Sequence, residues 1–218
     1  MSVRVLIADD QALFREAIAA MLARDPRLEI AASVESGDAA IEFVRAHTVD
    51  VVLMDIRMPG TDGIAATREV LRLRPQARVL VLTTFDLDEY VYAAVREGAS
   101  GFLTKDATPE SLADAIVAVG AGEAVMSSSA TLALLGFVRE GVPATDSTDA
   151  LAVLSPREQE IARVLATGAS NEDIAHRLFL SENTVKTHVK AVLAKLGLPD
   201  RIHVVIWAYE HGILRPRA

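Results

Sequence analysis

Residues 49–63 read VDVVLMDIRMPGTDG. Val51, Val52, Leu53 and Met54 are apolar on successive positions rather than on alternate ones, which is the pattern of a strand covered by helices on both faces of a parallel sheet. The run, predicted as a strand over Val49–Met54, stops at Asp55. A carboxylate therefore stands at the carboxyl end of a buried strand, the edge along which open parallel sheets bind their ligands.

The surrounding sequence repeats this unit. Strands are predicted at Val3–Ala8, Glu29–Val34, Arg78–Leu82 and Gly101–Leu103, and helices at Ala12–Ala23, near Asp38–Ala46, near Ile64–Leu73, near Asp88–Glu97 and from Pro109 onward. Five βα units in succession predict a doubly wound α/β domain with a five-stranded parallel sheet. Thr108 before Pro109 supplies a side-chain cap and a preset φ for the last of these helices, and Gly98 suits the left-handed residue that ends the one before it.

The chain has 218 residues, of which 51% are hydrophobic and 24% charged, enough for two small domains that each bury a core. It has no cysteine, which excludes a disulfide framework, a thiol nucleophile and a thiolate zinc site. The opening MSVRVLIADD is too short in its apolar run for a signal peptide, and no apolar run reaches the length of a membrane span. A soluble, cytoplasmic protein without membrane contact is expected. Formal charge is uneven: residues 1–150 carry −10 and residues 151–218 carry +2. An acidic half joined to a mildly basic half suits local nucleic-acid contacts, although chance variation of surface charge gives the same balance.

The first domain is expected over residues 1–122. Residues 123–150 read as a linker, with a possible helix near 127–139, because GVPATDSTDA at 141–150 has no apolar periodicity. Residues 151–218 then read as a small all-α domain of four helices. Ser155-Pro156-Arg157-Glu158 supplies a cap, a first-turn proline and a capping-box glutamate. Gly168 ends that helix, Ser170 caps a short helix over Asn171–Leu178 with Asp173 three residues on, and Ser181 caps a third that Gly197 ends. A last helix is expected from Asp200 to about Gly212, with Ile202, Val205, Ile206 and Tyr209 at helical spacing, partly for packing and partly for pairing two copies. Along Ser181–Leu196, the residues Val185, Val189, Val192, Leu193 and Leu196 gather on one side, and Asn183, Thr187, Lys190, Ala191 and Ala194 on the other, flanked by Thr184 and Lys186. The two helices form a helix-turn-helix pattern. By pattern alone the polar side serves equally as a solvated face or as a DNA reader. His176, His188, His203 and His211 lack the compact spacing of a zinc motif.

Four strand ends carry chemically useful groups: Asp9 and Asp10, Asp55, Thr83, and Lys105. Three carboxylates converging at about 4 Å repel by about 1 kcal/mol per pair in water and by several in a site. Such a cluster invites a hard cation, and few protein ligands with retained waters suit Mg²⁺. With charge neutralised, one carboxylate can attack phosphorus, and Lys105 and Thr83 are the types that stabilise a transferring phosphoryl group. Each of these Asp and Thr residues taken singly also reads as a helix cap.

The acidic pair after the first strand, LMDIRMPGTDG around the third, VLTTFD after the fourth and FLTKDA after the fifth resemble the receiver domains of two-component response regulators. LSPREQEIARVLATGASNEDIAHRLFLSENTVKTHVKAVLAKLGLPDR resembles the LuxR-type helix-turn-helix. In this order the two modules look like response regulators of the NarL/FixJ type. The resemblance implies a flavodoxin-like receiver in which Asp55 is the phosphoacceptor, and Asp10, Asp55 and the main-chain carbonyl of Arg57 bind Mg²⁺, with Asp9 assisting through water. Thr83 and Lys105 would bind phosphoryl oxygens, and Phe102 would reorient as Thr83 moves. It further implies that Lys186, Thr187 and Lys190 face DNA bases while Thr184 and Asn171 hold the phosphate backbone. The implied partners are a sensor histidine kinase, double-stranded promoter DNA and a second copy of the chain. A non-enzymatic, phosphorylation-controlled transcription regulator is the expected function. Two other readings are a DNA-binding regulator whose receiver only dimerises, and a phosphatase with an aspartyl intermediate. The latter class has an Asp-x-Asp nucleophile motif after the first strand, where this chain has Asp9-Asp10-Gln11.

Overall fold

The computed structural model describes residues 2–84, 88–126, 148–167 and 169–213. The chain divides into two compact units, Met1–Leu134 and Leu135–Ala218. The possible helix near 127–139 and the helix-ending Gly168 lie outside the described residues.

In the first unit, strands β1 (Val3–Ala8), β2 (Leu28–Val34), β3 (Val51–Met54), β4 (Arg78–Thr83) and β5 (Gly101–Thr104) alternate with helices α1 (Ala12–Leu22), α2 (Gly37–Ala46), α3 (Gly63–Leu73), α4 (Asp88–Arg96) and α5 (Pro109–Gly120). The sheet order is β2-β1-β3-β4-β5-β6, all parallel, as the doubly wound reading requires. The sixth strand, β6 (Val125–Met126), corrects the expected five. Two residues show no periodicity, and this edge pair forms only because Gly101 and Phe102 offer it a register. The third strand also begins at Val51 rather than Val49, although Asp50 already exchanges main-chain hydrogen bonds with Arg4 and Arg78 at 2.9 Å.

The pleat sorts the strand residues to two faces. Val5, Ile7, Val51, Leu53, Leu80, Leu82 and Leu103 join Ile18 and Leu22 of α1 and Leu112, Ile116 and Val119 of α5 in one core. Leu6, Ala8, Val52, Met54, Val79, Val81 and Phe102 are buried on the opposite face, which α2, α3 and α4 cover as a row of mutually contacting helices. Both faces are dry, which explains the unbroken apolar runs. The β3–α3 connection is pinned by Gly63: a Cβ there would lie 1.9 Å from the main-chain oxygen of Asp55, so only glycine allows the helix to start this close to the strand end. Thr108 caps α5 through Ser111 N as expected, and Gly98 adopts φ +102.

The second unit follows a 3₁₀ turn, Thr148–Leu151, with helices α6 (Pro156–Ala166), α7 (Asn171–Leu178), α8 (Glu182–Leu196) and α9 (Arg201–Glu210). Ile161, Leu165, Ile174, Val185, Val192 and Val204 form its core, with Val189, Leu193, Leu196 and Trp207 packed against them. On α9 the expected face packs in part, through buried Ile202 and Ile206, while Val205 and Tyr209 stay half-buried; Val204 and Trp207 join the core as well. Which part of the face packs is decided by the neighbouring helices. The expected capping boxes at Ser155/Glu158 and Ser170/Asp173 both form. Gly197 ends α8 at φ +66, while Phe179 ends α7 in the left-handed region at φ +54.

Glu158 completes its box at 2.7 Å to Ser155 N and also receives Lys195 Nζ of α8 at 2.7 Å. The Lys195 ammonium and the Ser155 amide hold its carboxyl down at about 2. A carboxyl whose folded pKa is depressed stabilises the fold above its unfolded pKa and loses that contribution as pH falls toward the folded value. The melting temperature of this unit, followed by the fluorescence of the single tryptophan, Trp207, should therefore drop between about pH 4.5 and pH 2. Glu158→Gln should flatten that drop.

Candidate functional site

The register of the sheet assembles the site. Ala8 pairs with Met54, so the residues that follow them, Asp9 and Asp55, leave adjacent strands side by side. Asp55 N donates to Ala8 O at 2.9 Å, and Lys105 N donates to Thr83 O at 2.8 Å, which continue the ladders by one residue into the site. Each of Asp9, Asp10 and Asp55 offers an oxygen within 4.8 Å of the others, with Asp9 and Asp55 buried and Asp10 exposed. Lys105 Nζ sits between the buried pair, 2.6 Å from Asp9 Oδ2 and 2.9 Å from Asp55 Oδ2, with its side chain only 6% exposed.

Asp9 is held on both oxygens, since Gln11 N donates to its Oδ1 at 2.8 Å. Asp55 remains the strained member. Burial raises its pKa, Lys105 offsets this in part, the Asp9 charge adds to it, and the Ile56 amide opposes it. Three carboxylates against one ammonium leave an ionised cluster two charges short of neutrality. An all-oxygen set of donors suits a hard divalent cation, and exposed Asp10 is the side open to solvent.

The other expected residues lie around this cluster. Arg57, two residues past Asp55, lines an open groove together with Asp10, Ile56, Met58 and Tyr90, and its guanidinium lies 5.7 Å from the Tyr90 ring centroid. Thr83 ends β4 and is 3% exposed; among the described residues no hydrogen bond joins its hydroxyl to the cluster. Phe102 is fully buried. It pairs with Val81 while Thr104 pairs with Thr83, so Thr83 and Phe102 share one face of the sheet. Phe14 is a residue that sequence reasoning missed: its ring lies 4.5 Å from Lys105 Nζ.

In the second unit, α7 and α8 form the helix-turn-helix. Lys186, Thr187 and Lys190 are exposed and Thr184 half-buried on α8, while Val185 and Val192 are buried on the other side. Neither lysine forms an ion pair with a described residue. Thr187 returns its hydroxyl to Asn183 O at 3.0 Å, and Thr184 shares a 2.8 Å hydrogen bond with the capping Ser181. Asn171 opens α7, its Oδ1 buried and without a partner. Arg157 Nη2 donates to Leu178 O at 2.9 Å and Arg201 to Ala169 O, so α6 and α9 grip both ends of α7.

Residues 5–117 match the response regulator receiver domain, and residues 152–208 match the bacterial regulatory proteins of the luxR family. The chain belongs to the response regulators that carry a LuxR-type DNA-binding domain. These are transcription regulators that bind DNA, not enzymes acting on an outside substrate. The chain is 35% identical to the DNA-binding transcriptional activator DevR/DosR of Mycobacterium tuberculosis, covering 98% of this chain and 97% of that one. To the transcriptional regulatory protein DegU of Brevibacillus brevis it is 34% identical, covering 99% and 96%. Among solved structures, the response regulator ChrA of a heme-sensing two-component system is 35% identical with a TM-score of 0.52, covering 98% of this chain and 99% of that one. No helix among the described residues is long and apolar enough to cross a membrane.

Because ionised Asp55 is disfavoured by burial, its charge costs the receiver stability at neutral pH. Asp55→Asn should raise the melting temperature of this unit at pH 7 by about 4 °C, the shift that accompanies about 1 kcal/mol at this size. The gain should shrink as pH falls and Asp55 in the unsubstituted protein takes up its proton.

Proposed function

We propose that the chain is a phosphorylation-controlled transcription regulator of a two-component system, switched when a sensor histidine kinase transfers a phosphoryl group to Asp55. The observation that carries this reading is the cluster itself: two buried carboxylates bridged by one buried ammonium, beside a third carboxylate exposed to solvent. Asp10, Asp55 and the carbonyl of Arg57 would hold Mg²⁺, with Asp9 assisting through water. The bound cation supplies neutralising charge, which lets an anionic nucleophile approach an anionic phosphoryl group.

Within the chain, an Asp55 oxygen is the nucleophile. The oxygen–phosphorus bond forms as the phosphorus–nitrogen bond to the kinase histidine breaks, and the imidazole leaves with the bonding pair. Lys105 remains an ammonium and moves its hydrogen bonding from the carboxylate to the phosphoryl oxygens. Thr83 donates its hydroxyl to another of them. Its displacement opens space on the sheet face it shares with Phe102, which carries the change along the face covered by α4. A hundredfold activation corresponds to about 2.7 kcal/mol of differential stabilisation between the two states, within reach of a dianion beside a buried ammonium.

Residues 1–122 form the receiver, 123–150 the linker and 151–218 the DNA-binding domain, working in the cytoplasm. Two copies bind promoter DNA, each placing α8 in the major groove. Lys186, Thr187 and Lys190 reach base edges, and Thr184 and Asn171 hold the backbone. The exposure of these α8 residues, opposite a buried valine stripe, supports the assignment.

Incubating the full chain with a small acyl phosphate and Mg²⁺ should add one phosphate, absent in Asp55→Asn, and tighten binding to DNA from its own promoter region. In the same assay Lys190→Ala should weaken binding and flatten its salt dependence. Equal DNA binding by unmodified, phosphorylated and Asp55→Asn protein would instead support a receiver that only dimerises. Unchanged binding and salt dependence in Lys190→Ala would remove α8 as the reading helix.

A further inference from the structure

Lys105 is enclosed on three sides. Asp9 Oδ2 and Asp55 Oδ2 take it at 2.6 and 2.9 Å, and the Phe14 ring centroid lies 4.5 Å from Nζ. An ammonium has three N–H donors; one goes to Asp55 Oδ2, and Asp9 Oδ2 is a close ion partner. The Phe14 ring presents its face to the same ammonium. An aromatic face carries the negative part of the ring quadrupole, so it attracts a cation at this distance and does so more strongly where water is excluded. An aliphatic side chain of similar volume would fill the same space without that attraction.

Phe14 is tied to the pocket by its own helix turn. It lies in the first turn of α1, directly before Arg15, whose Nη1 donates to Asp9 O at 2.5 Å, and Gln11 N donates to Asp9 Oδ1 just ahead of the helix. The ring is partly buried against the core made by α1 and α5. Its neighbour Leu13 points outward and is 86% exposed. The aromatic is thus the residue of this turn committed to the pocket.

We propose that Phe14 is a positioning residue for phosphoryl acceptance, its ring face keeping the Lys105 ammonium aimed at Asp55. This rests on Asp55 being the phosphoacceptor. In the accepting step an Asp55 oxygen bonds to phosphorus as the donor's bond to phosphorus breaks, and the donor departs with the electron pair. Lys105 keeps its protons throughout and offers an N–H to a phosphoryl oxygen. A lysine without the ring turns partly to water, and the fraction of time in which it faces the incoming phosphoryl group falls.

The test compares the full-length protein with Phe14→Leu and Phe14→Tyr, using acetyl phosphate with Mg²⁺ as the donor. Two quantities are read: the rate of phosphate incorporation, and the NMR shifts of the Lys105 ε-methylene protons without donor, which a ring face moves upfield. The expected result is upfield-shifted Lys105 protons in the unsubstituted protein and in Phe14→Tyr but not in Phe14→Leu. Incorporation should slow about tenfold in Phe14→Leu and stay within about twofold in Phe14→Tyr. Unshifted Lys105 protons in the unsubstituted protein overturn the proposal even if a variant fails to fold. Equal rates in Phe14→Leu and the unsubstituted protein, or equal slowing in both variants, overturn it as well. If the unsubstituted protein takes up no phosphate while its Lys105 protons are shifted, the phosphoacceptor reading fails and Phe14 is left only with the lysine contact.

Discussion

One ammonium faces three carboxylates at the carboxyl ends of the first and third strands. The parallel register that pairs Ala8 with Met54 forces Asp9 and Asp55 together, and at such spacing two ionised carboxylates repel by several kcal/mol where water is scarce. Lys105, delivered by the end of β5, bridges both. The lysine can serve in this way only because β4 and β5 extend the sheet in register, with Thr83 beside Thr104. Even so, Asp55 stays harder to ionise than an ordinary aspartate. The sheet thus holds a pocket whose charge is incompletely balanced, and both a divalent cation and a covalent phosphoryl group act on that imbalance.

The second unit is organised by helix ends. Ser155, Ser170, Ser181 and Asp200 cap successive helices with their side chains. Glu158 links the start of α6 to Lys195 near the end of α8, and Arg157 and Arg201 secure α7. These contacts fix the attitude of α8 while leaving its polar side uncovered. The helix is therefore presented as a rigid element, the condition for side chains such as Lys186 and Lys190 to meet a groove in one geometry.

Much of this was legible in the chain. Strand ends were readable because runs such as VVLM and RVLVL stop at a polar residue, and an open parallel sheet brings its carboxyl ends to one edge. Helix starts in the second unit were readable because a serine followed three residues later by glutamate or aspartate has a local geometric meaning. Features that depend on partners distant in sequence were not. The two-residue strand Val125–Met126 is too short to carry a pattern. On α9 the spacing marks Ile202 and Ile206, which are buried, but the addition of Val204 and Trp207 to the core depends on where the neighbouring helices lie. Phe179 in a left-handed conformation, where glycine or asparagine is the usual choice, has no local sequence cue. The contact of Phe14 with Lys105 spans the sheet from the first helix to the end of the fifth strand, and an amphipathic stretch gives no hint of it.

Cation binding to the unphosphorylated full chain probes this charge imbalance at its source. Titration with Mn²⁺, read by paramagnetic relaxation of water and of nearby nuclei, should show one ion per chain close to Asp10 and Asp55, displaced by Mg²⁺ and lost in both Asp10→Asn and Asp55→Asn. Binding that survives both substitutions, or no binding at millimolar ion, would contradict a pocket built to be neutralised by a divalent cation.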